Sequence, residues 1–382
     1  MQTEHLLLYQ DSRRLEALSD QSIDLAVTSP PYPMIEMWDS TFTELNCDIG
    51  KALDREEYRS SFQLMHRELD KVWAELYRVL KPGGFACINV GEATRSFKGR
   101  FLLFPNHSRI LQGCWEAGFD ILPSILWRKQ TNAPNKYMGS GMLPAGAYVT
   151  LEHEYILIAR KGSKRIFSQD QEKIVRQESA IFWEERNTWY SDLWDFKGAR
   201  QTCGVREANN DLRRRSGAYP FLLPYRLINM FSVYGDTVLD PFLGTGTSTL
   251  AALAGGRNSV GVELDPHFTV HLEQKMAKPG LREELNRYPY TRLLSHLQFV
   301  EKFTREKEHP PKYNNDFYGF PVVTRQEKRL KLLPLQKINK IKKGHYLASY
   351  GSDREALELA YRAVRTREAE TVSFSQQRFS EM

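Results

Sequence analysis

Thr237-Val238-Leu239-Asp240-Pro241-Phe242-Leu243-Gly244-Thr245-Gly246-Thr247 is a short apolar run that ends in an acid, enters a glycine-rich turn and leads into a helix beginning near Thr247. The two glycines let backbone come close to a ligand, and strand, turn and helix in that order open a βαβ unit. Roughly twenty residues further on, Ser259-Val260-Gly261-Val262-Glu263-Leu264 reads as a second buried strand tipped by an acid. From that position a carboxylate can grip both hydroxyls of a ribose. A lone Gly-x-Gly is weak evidence and packing alone can explain one. Strand before, helix after and an acid-tipped strand next form an adenosine-site signal, with Asp240, Pro241, Phe242, Gly244, Gly246, Thr247, Glu263 and Leu264 as candidate contacts.

Far upstream, Leu25-Ala26-Val27-Thr28-Ser29-Pro30-Pro31-Tyr32-Pro33 is another apolar run, stopped by a polar residue and two prolines. It reads as a buried strand delivering its end into a cleft. Neither proline donates a backbone hydrogen bond and both restrict φ, so the chain leaves the sheet in a stiff geometry that can present a hydroxyl, carbonyls and an aromatic face to one flat ligand. An ordinary proline-rich turn remains the competing reading of these residues alone.

Taken together, Thr28-Ser29-Pro30-Pro31-Tyr32 and Asp240 to Thr247 resemble the amino-group DNA methyltransferases that use S-adenosylmethionine. The tetrapeptide precedes the cofactor motif, which is similar to the circularly permuted group called the beta class, and Ser before Pro-Pro-Tyr resembles its N4-cytosine members. The resemblance spans about residues 5–275. It implies an α/β fold with a doubly wound, mixed but mostly parallel seven-stranded methyltransferase sheet of Rossmann-like type, an inserted target-recognition region and a helical C-terminal extension. It also implies that Asp11 helps hold the adenine; capping of a helical turn over 12–18 is the alternative for that residue. Tyr219-Pro220-Phe221 resembles the segment lining the methionine end of the cofactor, although the usual His-Pro-x-x-Phe-Pro wording is absent.

The rest of the chain fits around these motifs. Phe62, Leu69, Val72, Trp73, Leu76, Val79 and Leu80 recur at three and four, predicting an amphipathic helix over 55–80 that ends at Lys81-Pro82-Gly83-Gly84. Strands follow at 85–90, 121–129 and 154–160, with a helix over 106–117 between the first two; alternation of strand and helix predicts a mainly parallel sheet covered on both faces. Ligands bind such sheets at the carboxyl ends of strands near the switch in strand order, so the strand ends at Ser29 and Asp240 are expected in one cleft. Residues 34–54 lack a clear period and read as a mobile loop over the site.

Residues 161–215 break the pattern. Lys164, Arg165, Lys197, Arg200, Arg206, Arg213, Arg214 and Arg215 interleave with Trp183, Trp189, Tyr190 and Trp194, a mixture used in phosphate contact and base-edge reading. Aromatics forming the core of a small subdomain are the alternative. Beyond Met276 the sequence predicts helices over 282–307 and 353–370 with a basic run over 325–343, either a phosphate contact or a solvated face. The chain thus divides into a catalytic half (1–160), a target-recognition insert (161–216), a cofactor half (217–278) and a basic, mainly helical extension (279–382).

With 382 residues and 41% hydrophobic content there is material for a full α/β core. No apolar run reaches the roughly twenty residues of a membrane span and the N-terminus lacks a signal-peptide layout, so a cytoplasmic, nucleoid-associated prokaryotic protein is expected. Cys47, Cys87, Cys114 and Cys203 stand far apart, so neither a zinc site nor a disulfide framework is indicated, and no metal is expected. A formal charge of +6 suits a polyanionic partner.

What the resemblance implies chemically follows from the groups available. The amino nitrogen of cytosine is a poor nucleophile because its lone pair is spread into the ring. The Ser29 hydroxyl and Pro30 carbonyl can each accept a hydrogen bond from it, drawing it toward tetrahedral geometry for in-line transfer from a sulfonium. Pro31 stiffens the turn, and Tyr32 is placed to stack on a base flipped out of double-stranded DNA. The expected activity is that of a cytosine-N4 methyltransferase of a restriction–modification system, whose cognate endonuclease need not touch it. N6-adenine methylation, a non-catalytic DNA-binding protein with a vestigial cofactor domain, and an RNA or protein substrate are the alternatives.

Overall fold

The computed structural model describes residues 1–129, 145–146, 148–198 and 219–351. Arg200, Arg206, Arg213, Arg214, Arg215, Cys203 and the helix expected over 353–370 lie outside the described residues. In chain order the strands are β1 (Gln2–Tyr9), β2 (Ile23–Thr28), β3 (Leu80–Val90), β4 (Ala93–Phe97), β5 (Arg100–Phe104), β6 (Asp120–Arg128), β7 (His153–Arg160), β8 (Leu193–Asp195), β9 (Thr237–Asp240), β10 (Asn258–Glu263), β11 (Tyr313–Asn314), β12 (Pro321–Val322), β13 (Leu335–Lys342) and β14 (His345–Tyr350).

Ten of these strands form one sheet in the order β13-β14-β1-β10-β9-β2-β3-β7-β6-β8. Its middle seven strands, β1 to β6 in that order, are the expected sheet. β1, β10, β9, β2 and β3 run parallel, and β7 is antiparallel to both of its neighbours. Every residue of β2 is buried, as a central parallel strand covered on both faces must be. Its side chains alternate: Leu25 and Val27 join a core with Leu223, Leu227 and Ala251, whereas Ala26 joins Leu69, Val72, Trp73 and Ile110 on the opposite face. The first face is covered by helices Leu222–Phe231 and Thr247–Gly255, the second by Tyr58–Val79 and Asn106–Glu116. From β9 the chain winds outward to β10, and from β2 it winds the other way to β3. The adjacent ends of β2 and β9 therefore stand at the switch in strand order, registered by Leu25 opposite Val238 and Ala26 opposite Leu239.

Four segments differ from the sequence expectation. Residues 36–54 are not a loop: a 3-10 turn Glu36–Trp38 and helices Asp39–Leu45 and Cys47–Asp54 follow β2, anchored by buried Phe42 and Ile49. Each helix is about two turns long, too short to show a period, and the second is capped by the Asn46 side chain, which accepts from the Asp48 amide at 3.1 Å. Residues 12–18 form turns rather than a helix. β4 and β5 make an unforeseen hairpin whose two-residue connection, Lys98-Gly99, has positive φ at both positions (49° and 73°).

The fourth difference is the C-terminal extension, which is not mainly helical in its described part. After helix Leu281–Lys307 come short strands and the β13–β14 hairpin, which adds to the sheet beside β1. Tyr346, Ala348 and Tyr350 alternate into the core, a period of two that the surrounding lysines obscure. Within the insert, Trp189 and Trp194 are buried, Trp183 and Tyr190 partly exposed, and β8 joins the sheet edge beside β6. Helix Trp183–Trp189 is tied to the long C-terminal helix by the buried Glu185–Arg292 pair at 2.7 Å. Cys87 and Cys114 are core residues whose thiols burial pushes upward. Among the described residues no helix is long and apolar enough to cross a membrane.

Candidate active site

A cleft of about 710 Å³ opens at the carboxyl ends of β2, β9 and β10, within the volume range of pre-formed ligand sites. Ser29, Pro30, Pro31 and Tyr32 line one end. Asp11, Asp240, Pro241, Phe242, Gly244, Thr247, Glu263 and Leu264 line the other, and Trp38, Phe42 and Leu45 of the segment after β2 also line it. Of the sequence-predicted cofactor residues Gly246 alone stays off the lining. A Cβ there would meet Leu272 at 2.4 Å, and its φ is +81°, so this glycine lets helix His267–Met276 pack against the loop. Gly244, at φ +49°, has nothing nearer than 3.9 Å to an added Cβ and leaves backbone open to the cleft.

Asp240 joins the two ends. Its carboxylate is buried and accepts from the Thr28 hydroxyl at 2.6 Å, the Phe242 amide at 3.1 Å, the Tyr219 hydroxyl at 3.2 Å and the Ser248 hydroxyl. One acid thus ties the end of β2, the glycine loop and the start of helix Thr247–Gly255 into one piece. Burial raises its pKa, against the pull of those hydrogen bonds.

Glu263, at the tip of β10, accepts from the Gly244 amide at 2.7 Å and the Asp265 amide at 2.9 Å. A carboxylate offers about four lone-pair sites, so two remain for hydroxyls facing it. Burial raises its pKa, partly offset by the two backbone amides. Asp11 lines the cleft with its carboxylate already engaged by Arg13, through the backbone amide at 2.9 Å and the guanidinium at 2.6 and 2.8 Å. Partial burial works to raise its pKa, but the Arg13 bonds outweigh it and the group lies below its ordinary value.

The Ser29 end of the cleft contains groups that sequence reasoning missed. The Tyr32 hydroxyl lies 3.1 Å from Ser29 Oγ, 2.9 Å from Asn89 Nδ2 and 3.2 Å from Glu154 Oε2. Asn89 Nδ2 also donates to Glu154 at 2.7 Å, and Lys129 pairs with the other oxygen of Glu154. These residues come from β3, the start of β7 and the residue just after β6. Their only sequence signal is a polar residue beside the cleft end of a buried strand. Met34 leaves the motif at φ +67°, with its carbonyl held by Arg95 Nε at 3.1 Å.

Fold and site define a doubly wound α/β protein in which a glycine-loop end with a buried carboxylate and a polar, amide-and-hydroxyl end share one cleft. A family model described as DNA methylase, of the N6/N4 methyltransferase type, matches residues 23–274. The chain is 48% identical over 351 residues to Type II methyltransferase M.MthZI of Methanothermobacter thermautotrophicus, covering 91% of this chain and 95% of that one. It is 47% identical to M.MjaI of Methanocaldococcus jannaschii over 72% of this chain and 91% of that one. Among solved structures it is similar to a putative DNA modification methylase from Thermus thermophilus complexed with S-adenosyl-L-methionine. That match has a TM-score of 0.55 and 31% identity, covering 71% of this chain and 92% of that one. The chain belongs to the DNA methylase family of N6/N4 amino-methyltransferases.

Proposed function

We propose that this protein methylates the exocyclic N4 of a cytosine flipped out of double-stranded DNA, using S-adenosylmethionine, as the modification enzyme of a Type II restriction–modification system. The observation that carries this reading is one cleft shared by Ser29 and Glu263, with Asp240 tying the end of β2 to the glycine loop and Glu263 bonded to the Gly244 amide of that loop. The residues fit the cofactor: Gly244 leaves backbone open, Glu263 keeps acceptors to spare for a ribose, and Phe242 and Leu264 supply apolar walls. When bound, S-adenosylmethionine supplies an electrophilic methyl on a sulfonium.

The chain's own residues do the rest. Ser29 Oγ and the Pro30 carbonyl accept from the target amino group and aim its lone pair into the cleft. The Tyr32 ring lines the cleft where the extruded base stacks. Trp38, Phe42 and Leu45 exclude water above it. Ser at position 29 supports N4-cytosine, by its resemblance to that group; the same two acceptors take the amino group of adenine. Target recognition falls to the insert 161–216, with Arg200, Arg206, Arg213, Arg214 and Arg215 contacting phosphates.

The test is to incubate the protein with methyl-labelled cofactor and DNA carrying its site, digest to nucleosides and identify the labelled one. N4-methylcytosine is expected. N6-methyladenine would overturn the choice of base, and unlabelled DNA would overturn the reading altogether.

A further inference from the structure

Methylation of an exocyclic amino group leaves a nitrogen with one proton too many. That nitrogen is strongly acidic, so a weak base suffices, but the base must be within reach of a cleft closed to water. Ser29 touches the amino group in the reading above, and a serine hydroxyl alone can only pass a proton on.

What lies behind Ser29 decides where the proton goes. Glu154 as a carboxylate only accepts, and a phenol carries one proton, so the 3.2 Å contact obliges the Tyr32 hydroxyl to donate to Glu154 Oε2. Asn89 Nδ2 donates to the same phenol oxygen at 2.9 Å. The 3.1 Å contact between Ser29 and Tyr32 is then left with one direction: Ser29 Oγ donates to Tyr32. The serine proton therefore points away from the cleft and its lone pairs face the substrate. We propose that Ser29, Tyr32 and Glu154 form a proton relay, in which Glu154 receives the proton that the methylated amino group sheds.

The step balances. The N–H bond of the methylated amino group breaks as Ser29 Oγ takes that proton; Ser29 gives its own to the Tyr32 oxygen, and Tyr32 gives its own to Glu154 Oε2. Glu154 ends as a neutral carboxylic acid and the base as a neutral methylamino group. Burial foremost, with Glu154 next, holds the Tyr32 phenol well above its ordinary pKa, so it conducts a proton without standing as a phenolate. Lys129, ion-paired to the other oxygen of Glu154, offsets the charge of a carboxylate whose side chain is only 13% exposed. The Lys129 side chain is 35% exposed and marks the way to water when the proton leaves.

Glu154 is thus a positioning and proton-accepting residue that acts through Tyr32 and Ser29, and the inference rests on the amino-methyltransferase reading. Tyr32→Phe keeps the ring and removes the link; Glu154→Gln keeps an acceptor for Tyr32 and removes the basicity. In the full-length protein, because the proton leaves as the new N–C bond forms, single-turnover methyl transfer to site-containing DNA should fall by about tenfold or more in each variant, a threshold below the roughly hundredfold to ten-thousandfold that positioned acid–base groups typically contribute. Affinities for S-adenosylmethionine and DNA should stay at wild-type values, with unchanged melting temperature. The double variant should be no slower than the slower single one, because a relay broken once is broken.

Wild-type rates in either variant, or multiplicative losses in the double, would overturn the relay. Weakened DNA affinity at an unchanged rate would overturn it too, marking Glu154 as a contact to the base edge. If Glu154→Gln fails to fold, Tyr32→Phe alone decides by its rate. A wild-type protein that labels no DNA is the separate result that removes the reading beneath it.

Discussion

The two ends of the cleft are built in opposite ways. The end proposed for the cofactor is, apart from Asp11, assembled from the consecutive positions 237–264, in which strand, loop, helix and strand follow without interruption and two carboxylates are held by nearby amides and hydroxyls. The catalytic end draws Ser29, Asn89, Lys129 and Glu154 from β2, β3 and the ends of β6 and β7, and its working groups are side chains. A site made of local backbone survives side-chain change but is sensitive to backbone conformation; a site gathered from distant side chains has the reverse sensitivity.

That contrast sets an order of expected effects. Ser29→Ala should cut single-turnover methyl transfer by roughly a hundredfold or more while leaving cofactor and DNA affinity near wild type, the loss expected when one preorganised hydrogen-bond partner leaves a reacting group. A wild-type rate on cognate DNA would reduce the tetrapeptide to a turn. Glu263→Ala, at the position proposed to hold the ribose, should weaken S-adenosylmethionine binding by about 1.5–3 kcal/mol, as for charge-assisted hydrogen bonds, with DNA affinity unaffected. Calorimetry on the folded variant reads this directly.

The glycines sharpen the comparison. Gly246→Ala places a Cβ against Leu272 at a left-handed backbone position and should cost about 1–3 kcal/mol of stability. Gly244→Ala has room, so it should lower the melting temperature less and cofactor affinity more. Equal effects on both quantities would show that the loop acts as one packed unit.

pH separates the same two quantities. Burial raises the pKa values of both Asp240 and Glu263. A carboxyl raised on folding contributes stability that is fully present below its unfolded value and lost as pH rises through its folded one. Acidification should therefore add stability through these two groups while weakening cofactor binding, which is proposed to use the Glu263 carboxylate, at a pH above the ordinary carboxylate range. Titrations of melting temperature and of cofactor affinity should move in opposite directions there. The smallest expected effect concerns the insert: replacing Arg213, Arg214 and Arg215 together should flatten the salt dependence of DNA binding by about one unit of slope per lost phosphate contact, with sequence preference retained.

How much of this was legible follows from the same difference in construction. β2, β9 and β10, the helix Tyr58–Val79 and the sharing of one cleft by Ser29 and Glu263 could be read because apolar runs, glycines and prolines act over a few consecutive residues. Asp11 could be placed at the cleft but not its engagement by Arg13, two positions away, since either an adenine or a guanidinium satisfies that carboxylate. The β13–β14 hairpin was hidden by lysines that solvate its outer side while Tyr346, Ala348 and Tyr350 point inward.

The sequence by itself determined the doubly wound sheet and the placing of Ser29 to Tyr32 and Asp240 to Glu263 at its strand ends, because each is encoded by neighbours along the chain. Only the tertiary structure decided that Gly246 serves packing, that Asp240 ties the ends of β2 and β9 together and that Asn89, Lys129 and Glu154 stand behind Tyr32 and Ser29. Those are contacts between residues far apart in sequence, and their geometry exists only once β2, β3, β6 and β7 have been laid side by side.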